Sequence, residues 1–258
     1  MNYKSYLKLD HLLALQEPRS DPPEHDETLF IIIHQVYELW FKLLLHEFGR
    51  INTDLGANDL FRAVAGFKRA RTVMKTLVSQ LDILETMTPM SFTAFREHLE
   101  TASGLQSRQF RELEFLLGHK REEVLEDGVF DRDDTRILKA RLRQPSVPDH
   151  FLRFLRQRGG SVSPAAAGQK AVLATGPDEA LQEVILRLYR SQPEVALLFE
   201  VMTDFDEGLQ EWRYRHVKMV ERTIGNKPGT GGSRGVAFLK KTLFRPLFPD
   251  LWAVRHRF

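Results

Sequence analysis

Residues 28–48 constrain the fold more than any other stretch, because apolar side chains fall on nearly every side of it when it is drawn as a helix. Its centre, residues 30–41, reads FIIIHQVYELWF. A helix that is apolar all round is buried among other elements or spans a membrane. Five acidic, basic or histidine side chains inside the window argue against a membrane span. They are His34, Glu38, Lys42, His46 and Glu47. We therefore expect a buried helix and no membrane association.

Helical periodicity continues along most of the chain, and no stretch alternates as a half-buried strand does. The further predicted helices are 59–86, 89–103, 106–118, 134–143, 149–158, 178–190 and 192–224. Thr88 is a favourable N-cap for the helix at 89–103, and Ser191 with Glu194 matches a capping box for the last one. Residues 159–177, which begin GGSVSPAAAGQ, predict a flexible loop. The pattern predicts an all-α fold, with residues 1–258 as one elaborated helical domain.

Composition excludes several classes of protein. The 37 basic and 35 acidic side chains give a formal net charge of +2. A nucleic-acid binder usually carries a strong basic excess, so we expect no nucleic-acid partner. There is no cysteine, which removes disulfides, thiolate metal sites, iron–sulfur clusters and cysteine nucleophiles. Any metal must therefore be held by His, Asp or Glu, or arrive within a cofactor.

The N-terminus, MNYKSYLKLDHLLALQEPRSD, lacks the basic and then apolar pattern of a signal peptide. We therefore expect a cytoplasmic protein.

Three predicted helix faces combine apolar and titratable side chains. Phe30 and His34 are four residues apart, so they share a face of the first long helix. Arg96 lies in a stripe with Phe92, Leu99 and Ser103, where a guanidinium is costly to bury unless an anion meets it. On the last long helix the stripe contains seven residues. These are Phe205, Leu209, Trp212, His216, Met219, Val220 and Thr223.

Each of these residues has an ordinary explanation when taken alone. A buried histidine is usually a satisfied hydrogen-bonding group, and a buried arginine is usually half of an ion pair. Together, His34, His216 and Arg96 indicate a more specific possibility, a binding site for a cofactor. A helical bundle can hold a haem with one histidine as the iron ligand and another facing the open coordination position. The glycine-rich segment GNKPGTGGSRG, residues 225–235, is either a lid over a bound ligand or a plain surface loop.

Several long blocks, in the same order, resemble the tryptophan 2,3-dioxygenase family. They read YKSYLKLDHLL, HDETLFIIIHQVYELWFK, ILETMTPMSFTAFREHLETASGLQS and RHVKMVERTIGNKPGTGGSRG. The resemblance runs from Tyr3 to Ser107 and returns from Trp212 to Trp252, while residues 118–190 carry little of it. It implies an all-helical homotetramer with a non-covalent b-type haem, active as Fe²⁺. It also implies that O₂ opens the indole ring of L-tryptophan, giving N-formylkynurenine at the start of the kynurenine pathway.

The resemblance also implies roles for particular residues. His216 is the axial ligand of the haem iron, Ser103 lies beside the haem, and His34 is the catalytic residue on the substrate side. Six further positions match parts of the family's substrate pocket, and Arg96 among them is expected to bind the substrate carboxylate. The others are Phe30 against the indole, Thr230 near the amino-acid end, and Tyr3, Tyr6 and Leu7, which reach from a neighbouring subunit.

Some positions depart from the family pattern and leave alternatives open. Phe92 stands where some members have tyrosine, and Leu105 stands where phenylalanine is common. A haem monooxygenase acting on a substituted indole or tryptophan is therefore an alternative, as is a haem sensor without turnover. Retention of Arg96 and Thr230 favours an amino-acid substrate, because free indole offers them nothing to hold.

Overall fold

The computed structural model describes residues 1–125, 128–159, 177–230 and 235–258. Every regular element in these ranges is an α-helix or a 3₁₀ helix, which confirms the predicted all-α fold. The loop predicted at 159–177 lies outside the described residues except for its two ends.

Twelve α-helices occur in the described ranges and are numbered in chain order. They are α1 Tyr3–Leu7, α2 Leu9–Leu12, α3 His25–Gly56, α4 Leu60–Leu84, α5 Pro89–Arg96, α6 Arg108–Leu116, α7 Arg132–Arg143, α8 Val147–Gln157, α9 Glu179–Ser191, α10 Pro193–Ile224, α11 Gly235–Lys240 and α12 Pro249–Ala253. Short 3₁₀ helices cover Glu97–Leu99, Gly104–Gln106, Glu122–Leu125 and Val254–Arg257.

Three long helices form the framework of the fold, with α4 packed against both α3 and α10. Phenylalanines from all three meet in the core: the ring of Phe48 lies 5.9 Å from that of Phe67 and 5.0 Å from that of Phe205. The α3 and α4 backbones approach closely at Gly66, where a Cβ atom would lie 2.6 Å from Cγ1 of Ile51. Tight packing of this kind holds α3 and α10 in fixed positions on either side of a cavity.

The C-terminal segment is tied to α10 by a buried carboxylate. Oδ2 of Asp206 accepts hydrogen bonds from the backbone N–H groups of Leu247 and Phe248, at 2.9 and 3.1 Å, and from Nε1 of Trp252 at 3.0 Å. Because a buried carboxylate needs such donors, the contact fixes the chain beyond α11 against the helix that carries His216.

Helix α3 is long and apolar enough to cross a membrane by length and composition, with a mean hydropathy of 1.4 in its most apolar window. Its buried residues, which include Ile33, Tyr37, Phe41 and Leu44, belong instead to the protein core. The hydroxyl of Tyr37 donates to the carbonyl oxygen of Leu77 at 2.7 Å and so ties α3 to α4. Only 22% of that apolar window is buried within the described chain, so the burial predicted on nearly every side of α3 is not observed. The expectation of no membrane association stays a prediction.

The start of α5 is as predicted, but its end is not. The Thr88 hydroxyl accepts the backbone N–H of Ser91 at 3.0 Å, which confirms the N-cap. The helix predicted to run to residue 103 ends at Arg96, and a 3₁₀ turn follows. Glu100 then adopts φ = 49°, which a right-handed helix cannot accommodate. Ser103 therefore lies beyond a reversal of the chain and caps the next turn.

The capping box predicted at Ser191 was wrong. Helix α9 extends through Ser191, whose hydroxyl donates to the carbonyl of Arg187 at 2.9 Å. Gln192 takes the N-cap position of α10 without a side-chain hydrogen bond. The end of α10 is as predicted, since Gly225 follows Ile224 with φ = 61°.

Candidate functional site

A cavity of about 300 Å³ lies between α3, α5, α6 and α10. It brings together six of the residues that the sequence singled out, although they are spread over two hundred positions of the chain. These residues are Phe30, His34, Arg96, Ser103, His216 and Thr230.

His34 has a defined hydrogen bond on α3. Its Nδ1 lies 2.7 Å from the carbonyl oxygen of Phe30, one turn earlier. A carbonyl oxygen can only accept, so Nδ1 carries the proton. In the neutral ring, Nε2 is then left as an acceptor. His34 lines the cavity, and burial among protein atoms lowers its pKa despite the opposing effects of the hydrogen bond to Phe30 and the charge of Glu38.

Phe30 and its neighbours form an aromatic wall beside His34. The Phe30 and His34 rings are 4.1 Å apart between centroids. Phe95 and Phe92 of α5 lie 5.4 and 5.8 Å from Phe30. This wall carries no hydroxyl at Phe92. The surface suits a flat aromatic ligand.

His216, on α10, differs from His34 in its partners. Its ring stacks on that of Trp212, with centroids 5.2 Å apart and planes 13° apart. No group in the described part of the chain forms a hydrogen bond with either ring nitrogen of His216. Burial, with a smaller effect from His34, lowers the pKa of His216 to about 4. At neutral pH this ring is therefore an uncharged imidazole, which is the form that binds a metal.

Arg96 links the cavity to the glycine-rich segment. Its Nη2 donates to the carbonyl oxygen of Pro228 at 2.6 Å, and Gly229 and Thr230 line the cavity just beyond. A guanidinium has five N–H groups, so Arg96 keeps donors for a ligand carboxylate. Residues 231–234 of the predicted lid lie outside the described residues.

Comparison with known proteins gives the chain a family. It matches the sequence model of tryptophan 2,3-dioxygenase over residues 1–161 and 172–257. The chain belongs to the tryptophan 2,3-dioxygenase family. A relative of that name from Herpetosiphon aurantiacus is 51% identical over 255 residues, which are 99% of this chain and 97% of the relative. Another, from Anaeromyxobacter sp. strain K, is 52% identical over 259 residues, covering 99% and 95%. A third, from Saccharopolyspora erythraea, is 43% identical over 262 residues, covering 99% and 92%.

The side chains around the cavity fit the haem that is typical of the tryptophan 2,3-dioxygenase family. Among the described residues, no group of three His, Asp or Glu side chains is placed to hold a metal ion. A metal at His216 must therefore bring its other ligands with it, as a haem iron does. Apolar residues of α4 and α10, including Leu81, Leu84, Met219 and Val220, form much of the wall. At its other end, the buried Nε atoms of Arg111 and Arg121 have no hydrogen-bond partner within the chain as described.

Three of the predicted substrate-site residues do not line this cavity. Tyr3, Tyr6 and Leu7 lie on α1, where their side chains are exposed. Their predicted contact with a neighbouring subunit stays a prediction.

Sequence reasoning missed a charged cluster that lines the same cavity. It consists of Arg111, Glu114, Arg121 and Arg213. Arg111 and Glu114 lie three apart on α6, and Arg213 lies three before His216 on α10. The spacing of Arg213 and His216 on one helix was the available signal.

Proposed function

We propose that this protein is a haem-dependent dioxygenase that opens the indole ring of L-tryptophan with O₂ to give N-formylkynurenine, the first step of tryptophan catabolism by the kynurenine pathway. One observation carries the proposal: a single cavity is lined by a neutral imidazole on α10 that has no hydrogen-bond partner among the described residues, by an acceptor imidazole on α3 and by an arginine on α5. The relatives that carry the name tryptophan 2,3-dioxygenase support the choice of reaction.

In this proposal His216 would hold the iron of a b-type haem, and Ser103 would lie beside the cofactor. Stacking on Trp212 fixes the plane of the imidazole. The haem, when bound in its ferrous form, would supply the iron at which O₂ is activated.

His34 orients the indole rather than deprotonating it. Its Nε2 accepts a hydrogen bond from the indole N–H, because Nδ1 is committed to the carbonyl of Phe30. An indole N–H is a very weak acid, and a histidine whose pKa is lowered by burial is a weakened base. The same hydrogen bond would hold the indole ring beside Phe30 and fix the orientation of its C2 and C3 atoms.

Arg96 selects an amino acid over free indole. Its remaining N–H groups bind the substrate carboxylate in a forked contact. Since Arg96 also donates to Pro228, the carboxylate contact and the position of the loop are coupled. Thr230, two residues on, then lies near the amino-acid end of the substrate. With the loop in place, bulk water is kept from the oxidised intermediates.

The proposal includes a cytoplasmic homotetramer. Tyr3, Tyr6 and Leu7 are 75%, 71% and 41% exposed on the described chain. Exposed side chains of this size are suited to a contact with another subunit. In the assembly they reach the substrate side of a neighbour's cavity.

The test is a turnover experiment on the haem-loaded protein. The haem is reduced, L-tryptophan and air are added, and the absorbance of N-formylkynurenine is followed. Appearance of that product supports the proposal. A product carrying one added oxygen atom, formed from another indole but not from tryptophan, would instead identify a monooxygenase. Haem uptake with no product from any indole would identify a sensor.

A further inference from the structure

Two helices carry rows of opposite charge on the surface of the described chain. The basic row of α7 consists of Arg132, Arg136, Lys139 and Arg143. The acidic row of α10 consists of Glu200, Asp204, Glu207 and Glu211. Within each row, successive members are four, three and four residues apart. The cations of one helix therefore repeat with the same spacing as the carboxylates of the other.

This spacing places each row on one narrow face of its helix. An α-helix turns about 100° and rises about 1.5 Å per residue, so each row spans a sector of roughly 60° and a length of roughly 16 Å. Each helical turn then presents one charge. The order four, three, four reads the same in both directions, so parallel and antiparallel helices can both match the rows.

The basic row is exposed because α7 packs on the protein through its opposite face. Leu138 is buried there, and Arg141 pairs with Glu112 of α6. All four cations of the basic row are exposed. Together with Thr135 and Ala140 they line a groove of about 420 Å³, and no acidic side chain of the described residues lines it. The groove therefore presents positive charge to solvent.

Ion pairs within the chain engage only part of each row. Arg136 lies 3.4 Å from an aspartate of its own helix, and Glu200 and Asp204 each pair with one arginine, at 3.0 and 3.2 Å. Pairs as exposed as these contribute little to stability. Glu207 and Glu211 are exposed and form no ion pair with any described residue. The acidic row therefore has carboxylates left for an outside partner.

We infer that the basic row of one subunit binds the acidic row of a second copy of this chain. The inference rests on the homotetramer of the proposed function, for which it names one interface. Across a two-fold axis the contact occurs twice, with α7 of each copy on α10 of the other. Opposite charges that repeat once per turn pair in this way at the edges of coiled coils. Leu197 and Tyr214, which are 47% and 44% exposed on α10, add apolar area near the acidic row.

The groove on α7 fits other polyanions less well. No aromatic side chain lines it, so the bases of a nucleic acid have no surface on which to stack. Thr135 and Ala140 are its only uncharged lining residues in the described chain, and neither is large enough to anchor a helix in a membrane. Small residues do allow another helix to approach closely. The charge and spacing of that helix are those of the acidic row.

The test reverses two charges at a time. The first variant carries Arg136→Glu and Lys139→Glu, and the second carries Glu207→Lys and Glu211→Lys. Sedimentation velocity of each haem-loaded protein across a dilution series, at about 0.05 M salt, measures its assembly under weak screening. Each variant alone should dissociate into smaller species, with a dissociation constant roughly 10–100-fold above that of the wild type. At about 1 M salt the difference should shrink, because the charges are screened.

Mixing the two variants makes the test specific for a contact between copies. In an equimolar mixture, the reversed α7 of one variant meets the reversed α10 of the other, so assembly should return to the wild-type level. Lys68→Glu with Lys75→Glu is the matched control. Both lysines are exposed on α4, outside the two rows, and their replacement changes the net charge as much as the first variant does. This control alone should assemble like the wild type.

Wild-type assembly of either reversed variant alone would overturn the inference. Dissociation of both variants without recovery in the mixture would overturn it too, because the rows would then contact something other than each other. Neither result affects the proposed reaction. A wild-type protein that is monomeric at every concentration would overturn the homotetramer and this inference together, while the N-formylkynurenine assay would still decide the reaction.

Discussion

The two walls of the cavity each present one histidine, and the two rings differ in what holds them. On α3, Nδ1 of His34 is bound to the carbonyl oxygen of Phe30. On α10, His216 stacks on Trp212, and the described residues leave both of its nitrogens without a hydrogen bond. Burial lowers the pKa of both rings, so both are neutral at pH 7.

This difference separates two uses of a neutral imidazole. A ring whose tautomer is fixed by a carbonyl offers one acceptor nitrogen in a set direction, which suits a hydrogen bond to a substrate N–H. A ring with a free nitrogen and a fixed plane suits a metal. Charged side chains also line the cavity from different elements, with Arg96 on α5 and Arg213 on α10. The predictions below test that division.

The largest effect is expected on the α10 wall. His216→Gly removes the iron ligand, so we expect haem affinity to fall by at least about 100-fold, as for loss of a metal ligand or its support. Imidazole added to the buffer should restore binding, because the space left by the ring accepts it. The measurement is a haem titration followed by absorbance, with and without imidazole. Tight haem binding by His216→Gly without imidazole would place the ligand elsewhere.

A smaller effect is expected from replacing Arg96, which is proposed to bind the substrate carboxylate. Arg96→Ala should lower kcat/KM for L-tryptophan roughly 10–100-fold, mainly through KM, as for one charge-assisted contact. The control substrate is tryptamine, which lacks the carboxylate and should be turned over equally by variant and wild type. An equal loss with both substrates would mean that Arg96 acts through the loop at Pro228 and not on the carboxylate.

His34→Ala should leave haem bound and lower kcat about tenfold, the size expected for one neutral hydrogen bond. A general base is expected to contribute roughly 10²–10⁴-fold. Steady-state kinetics therefore distinguish orientation from proton removal. Tryptophan methylated on the indole nitrogen has no N–H to donate. With that substrate, His34→Ala should therefore have the same kcat as the wild type.

The smallest effect concerns stability and pH at His119, which lies beside Arg213. The pKa of His119 is lowered to about 3, first by burial and then by Arg213. Between pH 6.5 and pH 3 the unfolded chain therefore binds a proton at this residue that the folded chain does not, and stability falls as pH falls. The free energy of unfolding should fall when the pH is lowered from 7 to 5. This fall should be roughly 1–2 kcal/mol smaller in His119→Gln than in the wild type.

Urea unfolding of the haem-free protein at the two pH values measures this difference. The control is His11→Gln, which replaces an exposed histidine on α2. An acid response of His119→Gln equal to that of the wild type would show that His119 is not held neutral in the folded state.

The parts of the fold that local physics decides were predictable from the sequence. Apolar periodicity located α3, α4 and α10, and the Thr88 cap was correct because a threonine before Pro89 has one favourable geometry. The end of α5 was not predictable, since nothing local requires Glu100 to adopt a positive φ. Ser191 failed as a cap because it is also a good last residue for α9.

The same division applies to the site. His34, Arg96 and His216 each stood out as polar groups on apolar helix faces, and the family resemblance joined them. The charged cluster that lines the cavity did not stand out, because Arg111 and Arg213 resemble ordinary surface charges on amphipathic helices and Arg121 lies outside a helix. Only the packing of α6 against its neighbours shows that their charges are buried together.

The most direct test of the central claim is a crossed comparison of His34→Ala and His216→Ala, each assayed for haem occupancy and for N-formylkynurenine formation. The account predicts that His34→Ala binds one haem per chain and turns over slowly. His216→Ala should be purified without haem and form no product. If His34→Ala lost the haem while His216→Ala kept it, the roles assigned to the two walls would be reversed.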